Sequence, residues 1–411
     1  MEIQRKKYVE WLRSEKDRHF IKVLTGIRRC GKSTTLKQFI KVLKNDYQIN
    51  ERNIITYDFN DERLVKKFTW ESLINEIESC ADPQTMNYVF LDEIQEIKEF
   101  EHTIIALFEH TKIQFDIYIT GSNSHMFSNE LATRLTGRTS TLKIYPLSFK
   151  ELYENINQNE DVQKFLQRYL IQGGLGIMIN DYYHRAKSEE TAKLIINDTI
   201  EKDVTNRHHI IADIHAFRKI IDFVFIHVGR DINSLNVSRN LIGSNISYKT
   251  VFNYITWICE AQILQNVPYY NIKGKQTLKY NSKYYAGDLG ILSGSIGFDL
   301  ENAKGYRLEN LVYLELLSRG YQILTGFNHD NKKPKTSTAV DFIAIKDDEK
   351  IYLQVTYELN DHNYIRECEP LLTAKNATKK IIITNAMNAI PQDNGIRIVY
   401  LTKWLLDQQA L

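Results

Sequence analysis

The sequence predicts a multidomain α/β protein, and three observations predict it. The chain has 411 residues, enough for two to four domains at about 100–200 residues each. Residues 1–150 alternate short apolar runs with helix-period segments, the pattern of a parallel sheet covered by helices. A glycine-rich GxxxxGKS segment falls between the first of those runs and the first long helical stretch.

Composition bounds the rest. Hydrophobic residues at 43% and charged residues at 25% exclude wholesale disorder and fibrous repeats. Lys+Arg 53 against Asp+Glu 51 gives a net charge of +2, so any basic surface is local. The longest apolar stretches, such as 223–226 and 381–383, fall far short of the roughly 18 residues of a membrane span. The N-terminus lacks the apolar core of a secretion signal, and a cytoplasmic location is expected. Cys30, Cys80, Cys259 and Cys368 are scattered with no CxxC, which points to reduced thiols.

Strands are expected at 21–25, 54–59, 88–92, 116–120 and 141–145, and Pro146 closes this first domain, 1–150. Helical spacing then dominates a subdomain at 151–215, interrupted by Gly173-Gly174. Residues 216–290 read as a helix to 228, a short helix at 237–241, a helix capped by Ser247, and a strand pair at 263–270 and 277–285 turning at Lys273-Gly274-Lys275. That is winged-helix order. From 300 to 411 the pattern is α/β again, with a helix at 308–318 and strands at 321–325, 339–345, 351–357, 380–384 and 396–401.

The chemistry begins at Gly26-Ile27-Arg28-Arg29-Cys30-Gly31-Lys32-Ser33. Glycines at these places let a backbone nest and a helix N-terminus aim N–H groups at phosphate oxygens, with Lys32 reaching the β and γ phosphates and the Ser33 hydroxyl serving Mg²⁺. Gly26, Arg28, Arg29, Cys30, Gly31, Lys32, Ser33 and Thr34 are the candidate cofactor-binding residues. Tyr88-Val89-Phe90-Leu91-Asp92-Glu93 is a buried strand ending in two carboxylates, so Asp92 suits Mg²⁺ and Glu93 suits the attacking water. Gly121-Ser122-Asn123-Ser124 ends the next strand, where Asn123 or Ser122 can sense the γ-phosphate. Arg138 is the candidate arginine finger, in its own subunit or in a neighbour of a homo-oligomer.

These stretches, with Leu135-Thr136-Gly137-Arg138 and Pro146-Leu147-Ser148-Phe149, carry a resemblance. The sequence resembles prokaryotic AAA-type P-loop ATPases that join an N-terminal ATPase core to a C-terminal domain of unknown function with a restriction-endonuclease-like fold. The resemblance implies ATP and Mg²⁺ as ligands. It also implies a sheet in which the sensor strand lies between the phosphate-loop strand and the Asp92 strand. The family often has Gly-Gly-x-Pro where this chain has Gly173-Gly174-Leu175-Gly176.

Between residues 233 and 284, six basic residues (Arg239, Lys249, Lys273, Lys275, Lys279, Lys283) face one acid, Glu260. Lys249, Lys273 and Lys275 are the nucleic-acid candidates. A protein partner for this module is the equal alternative. In the last domain Glu309, Asp341 and Gln354-Val355-Thr356 fall where endonuclease-like folds place an acid, an acid and an acid-x-lysine pair. The amide at Gln354 and the absent lysine at Thr356 argue for a degenerate site without nuclease activity. His208-His209, beside Glu201 and Asp203, lacks the spacing of a metal site. The expected function is an ATP-hydrolysing switch or motor that couples nucleotide state to nucleic-acid or protein binding. A slow ATP-gated scaffold and an ATP-dependent nuclease are the alternatives.

Overall fold

The computed structural model of the chain describes residues 2–122, 137–156, 158–205, 214–240, 246–272, 276–297, 303–328, 338–374, 377–387, 395–407 and 411. Two compact units result: Met1–Pro146 with Glu260–Gln262, and Leu147–Cys259 with Ile263–Leu411.

The first unit contains α1 (Lys6–Glu15), β1 (Ile21–Thr25), α2 (Lys32–Asn45), β2 (Ile54–Asp58), α3 (Glu62–Lys67), α4 (Trp70–Cys80), β3 (Asn87–Asp92), α5 (Phe100–Phe108), β4 (Phe115–Gly121) and β5 (Thr139–Lys143). The strands form a parallel sheet in the order β2-β3-β4-β1-β5. The sensor strand β4 therefore lies between β1 and β3. Helices cover both faces, and β1 and β3 are accordingly buried along their whole length. On one face Ile21, Val23, Val89, Leu91, Ile117 and Ile119 pack with Leu73, Ile77, Ile104 and Leu107. On the other, Phe39 of α2 meets the rings of Phe90 and Tyr118 at 6.4 and 5.3 Å. Burial of each such side chain stabilises the fold by about 1.5–3 kcal/mol.

A buried ion pair interrupts this apolar interior. Lys22 on β1 is paired with Asp116 on β4, both side chains almost fully buried. Lys22 also donates to the Arg18 carbonyl at 2.6 Å, and the Tyr118 hydroxyl donates to Asp116 at 2.7 Å. Burial raises the Asp116 carboxyl above its ordinary range, with Lys22 opposing.

The second unit contains α6 (Phe149–Ile156), α7 (Val162–Gln172), α8 (Arg185–Ile200), α9 (Ile214–Ile226), β6 (Asp231–Ile232), α10 (Ser234–Asn240), α11 (Tyr248–Glu260), β7 (Leu264–Asn271), β8 (Gln276–Ala286), α12 (Leu289–Ile296), α13 (Lys304–Ser318), β9 (Gln322–Asn328), β10 (Thr338–Lys346), β11 (Glu349–Leu359), α14 (Tyr364–Thr373), β12 (Lys379–Met387), β13 (Arg397–Tyr400) and α15 (Leu401–Leu406). Ser247 caps α11 as expected, accepting from the Thr250 N–H at 3.1 Å, and Val251, Tyr254, Ile255 and Ile258 are its buried face.

The strands form one eight-stranded mixed sheet, β13-β12-β11-β10-β9-β7-β8-β6. It runs through the boundary expected at 290–300. Strand β7 pairs in parallel with β9, Tyr269 opposite Thr325 and Asn271 opposite Phe327. The hairpin expected as a wing is thus continuous with the C-terminal sheet. An edge strand's open backbone groups favour such a partner, but a parallel partner far along the chain leaves no mark on local periodicity. Helix α12 was not expected either, because three glycines surround its start and middle. Asp288 makes it possible by accepting from the Gly290 and Ile291 N–H groups as an N-cap. Among the described residues no helix is long and apolar enough to cross a membrane.

Candidate nucleotide site

The phosphate loop leaves β1 and ends where α2 begins. Gly26 stands at φ +154°, and a Cβ there would lie 2.3 Å from the Ile144 carbonyl oxygen, so the position requires glycine. Arg29 (φ +68°) and Gly31 (φ +104°) have left-handed backbone, a geometry that turns successive N–H groups into one anion-binding concavity. Gly31 precedes α2, whose first turn carries no acidic residue, leaving the positive end of the helix open to an anion.

Lys32, 3% exposed, donates to the Gly26 carbonyl at 3.0 Å and pairs with Glu93 Oε1 at 3.2 Å. Glu93 follows β3 in left-handed backbone, φ +52°, a conformation that costs a non-glycine residue about 1–3 kcal/mol. Its N–H donates to Thr120 Oγ1 at 2.9 Å, and Gln95 donates to its other carboxylate oxygen. Burial pushes the Glu93 carboxyl up, but Lys32, Gln95 and Arg28 together outweigh it and hold Glu93 below its ordinary value. The neighbouring Asp92 moves the other way: burial raises it, against hydrogen bonds from Ser33 and Thr120. Two adjacent carboxylates thus sit in opposite electrostatic settings.

The register of the sheet brings these groups together. Thr25 lies opposite Gly121, Leu91 opposite Ile119, and the loop, Asp92–Glu93 and Thr120 share the C-terminal edge of three adjacent strands. In open α/β sheets this edge, beside the strand where the order reverses, is where ligands bind. Of the other expected cofactor-binding residues, Arg28 is half-buried, Arg29 and Thr34 are exposed and Cys30 is buried. Burial raises the Cys30 thiol, which leaves it unreactive. Ser122 is fully buried. Asn123, Lys273 and Lys275 lie outside the described residues, as do His208 and His209.

Arg138 stands elsewhere. Its carbonyl accepts from the Ile21 N–H at 2.8 Å, at the N-terminal edge of the sheet. The five residues of β1 separate it from the loop, about 15 Å at a strand rise of about 3.3 Å. Its guanidinium pairs with Glu109 on the surface.

Two residues were missed. Thr120 bridges Asp92 and the Glu93 backbone; its hydroxyl in an apolar strand was the available signal. Arg5 donates to the carbonyls of Cys30 at 3.0 Å and Tyr145 at 2.7 Å, bracing the loop from behind. Nothing near residue 5 in sequence announces that role.

In the second unit Glu309, Asp341 and Gln354 do come together: the Asp341 N–H donates to Gln354 Oε1 at 3.3 Å, and Val355 N–H to Asp341 Oδ2 at 2.9 Å. Thr356 instead donates to the Glu358 carbonyl. Lys283, counted among the basic residues of the winged-helix segment, is buried and paired with Glu309 at 3.0 Å, so it is not a phosphate-contacting surface group. Lys249 is exposed in the first turn of α11, beside Tyr248 (62% exposed) and Phe252 (58% exposed).

The residues of the first unit fit a nucleotide phosphate chain and its divalent ion. The loop offers N–H groups and a buried ammonium, and a hydroxyl–carboxylate pair, Ser33 with Asp92, is the oxygen donor set a hard cation takes. Comparison with known proteins agrees with this geometry. A family model described as an AAA domain matches residues 18–153, and one described as a domain of unknown function (DUF8612) matches 163–302. An uncharacterized protein of Haemophilus influenzae is 34% identical, with 98% of each chain covered. Another, from Methanocaldococcus jannaschii, is 30% identical over 94% of this chain and 88% of its own. Among solved structures, the Thermotoga maritima RuvB Holliday junction branch migration motor is similar at 17% identity, 65% of this chain and 90% of that chain, with a TM-score of 0.36. Full-length relatedness to bacterial and archaeal proteins, an AAA domain over the N-terminal unit and the phosphate-loop geometry on β1 together place the chain in the prokaryotic AAA-type P-loop ATPase family.

Proposed function

We propose that the protein is a Mg²⁺-dependent ATPase that works as a switch, its nucleotide state setting the binding of a nucleic-acid or protein partner. The observation that carries this reading is the meeting of Lys32, Ser33, Asp92, Glu93 and Thr120 at one sheet edge. Lys32 would exchange Glu93 for phosphate oxygens, which frees the Glu93 carboxylate to orient the attacking water and accept its proton. Ser33 and Asp92 would hold Mg²⁺, which neutralises phosphate charge when bound. Thr120 fixes the Asp92 carboxylate and the Glu93 backbone relative to each other. Arg138, at the far edge of its own sheet, would serve a neighbouring chain of a homo-oligomer.

The exposed Lys249, Tyr248 and Phe252 on α11 support a nucleic-acid partner, because a cation beside open aromatic faces suits phosphate and base together. The C-terminal part is read as a restriction-endonuclease-like scaffold without nuclease activity, since Thr356 brings no positive charge and turns to its own strand. The test is release of inorganic phosphate from ATP by purified protein. Turnover should require Mg²⁺ and vanish in Lys32→Ala; turnover that survives in EDTA would overturn the reading.

A further inference from the structure

Strand β8 places Lys283 and Tyr285 two residues apart, on one face of the strand. Helix α13 supplies Glu309 and strand β10 supplies Asp341. The three charged side chains are 10%, 16% and 15% exposed. Lys283 Nζ lies 3.0 Å from Glu309 Oε1 and 3.7 Å from Asp341 Oδ1, between the two carboxylates. The Tyr285 hydroxyl donates to the same Glu309 oxygen at 2.6 Å.

An endonuclease-like fold implies a divalent metal ion between such carboxylates, and the residues present do not fit one. Glu309 Oε1 already accepts two donors. Asp341 Oδ2 accepts from Val355, and the Gln354 amide oxygen accepts from the Asp341 N–H. Among the described residues no further His, Cys, Asp or Glu completes a metal-ligating group. Mg²⁺ requires near-octahedral oxygens at about 2.0–2.1 Å, and an ammonium fixed between the carboxylates blocks that approach. Burial raises the Asp341 carboxyl, and so does Glu309, while Lys283 opposes them. Burial lowers the Lys283 ammonium, but Glu309 and Asp341, with a smaller contribution from Asp231 opposite it in the β6–β8 register, outweigh burial and keep it protonated.

We propose that Lys283 is the resident cation of this cluster, standing where a divalent metal would sit and excluding it. The lysine absent from the endonuclease-like strand has its charge supplied from the hairpin, yet in a position that closes the site rather than completing it. The same ammonium ties β8 to α13 and β10, making the hairpin part of the C-terminal domain.

The proposal does not depend on ATP hydrolysis, and nucleotide-free full-length protein tests it with Mn²⁺ as the probe. Bound Mn²⁺ is counted by electron paramagnetic resonance in wild type, Asp341→Asn, Lys283→Gln and the Lys283→Gln/Asp341→Asn double variant. Wild type and Asp341→Asn should bind the same amount. Lys283→Gln should gain one Mn²⁺ per chain, at least tenfold tighter than any ion that remains in the double variant. A wild-type Mn²⁺ that Asp341→Asn removes would overturn the proposal. So would a folded Lys283→Gln that gains none. Should Lys283→Gln unfold, recovery of its circular dichroism in Mn²⁺ supports the proposal, and failure to recover counts against it.

Discussion

Lys32 and Glu93 form an ion pair in a buried site. In the proposed reading ATP replaces this ion pair by one with phosphate, and Lys32→Ala should lose most phosphate affinity while leaving Glu93 only Arg28 and Gln95 to oppose its burial. Thr120 gives a sharper test of the geometry. Thr120→Val keeps the strand but removes the acceptor for the Glu93 N–H and the donor to Asp92, so hydrolysis should fall while ATP affinity stays within a few-fold. The unpaired groups should cost about 1–3 kcal/mol of stability. Thr120→Ser should restore both, and a fully active Thr120→Val would contradict the role given to this hydroxyl. Asp116 makes a separate prediction about stability alone. Asp116→Ala leaves the Lys22 ammonium buried without its partner, and urea unfolding should show a loss of about 3–5 kcal/mol.

At the scale of elements, the turn at 173–174 and helix α12 form one device. Asp288 accepts from Gly174, Gly290 and Ile291 N–H groups, and a Cβ on Gly174 would lie 2.0 Å from the Leu147 carbonyl oxygen. Gly174→Ala should therefore lower the melting temperature strongly, whereas the same change at Gly176, where a Cβ meets nothing, should be near neutral. Burial raises Asp288 from 3.8 to about 6. Its folded value exceeds its unfolded value, so its contribution to stability is full below about pH 4 and is lost as pH rises through about 6. The change is on the order of 3 kcal/mol. Urea midpoints measured from pH 4 to 7 should fall less steeply in Asp288→Asn than in wild type; parallel curves would contradict this.

These elements also show what local sequence discloses. The loop from Gly26 to Ser33 and the Asp92–Glu93 strand end were legible because their chemistry is written in adjacent residues with a fixed spacing. The start of α11 was legible through its Ser247 cap. Arg5, Thr120 and Lys283 were not, because their partners are set by sheet register between distant segments. The β7–β9 pairing was hidden for the same reason.

At the scale of the molecule, the ATPase edge of the first sheet and Arg138 lie at opposite ends of β1. If Arg138 is the finger, as proposed, it serves a neighbouring chain, and activity should depend on assembly. Arg138→Ala and Glu93→Gln should each be nearly inactive, and mixing them should recover part of the turnover, because one contributes an intact site and the other an intact arginine. No recovery on mixing, with both variants folded, would count against a trans finger. The role of Glu93 as the base is read out by ATP binding and turnover in Glu93→Gln alone. Binding should remain within a few-fold of wild type while turnover falls by about 10²–10⁴; equal turnover in wild type and Glu93→Gln would show that Glu93 is not the base.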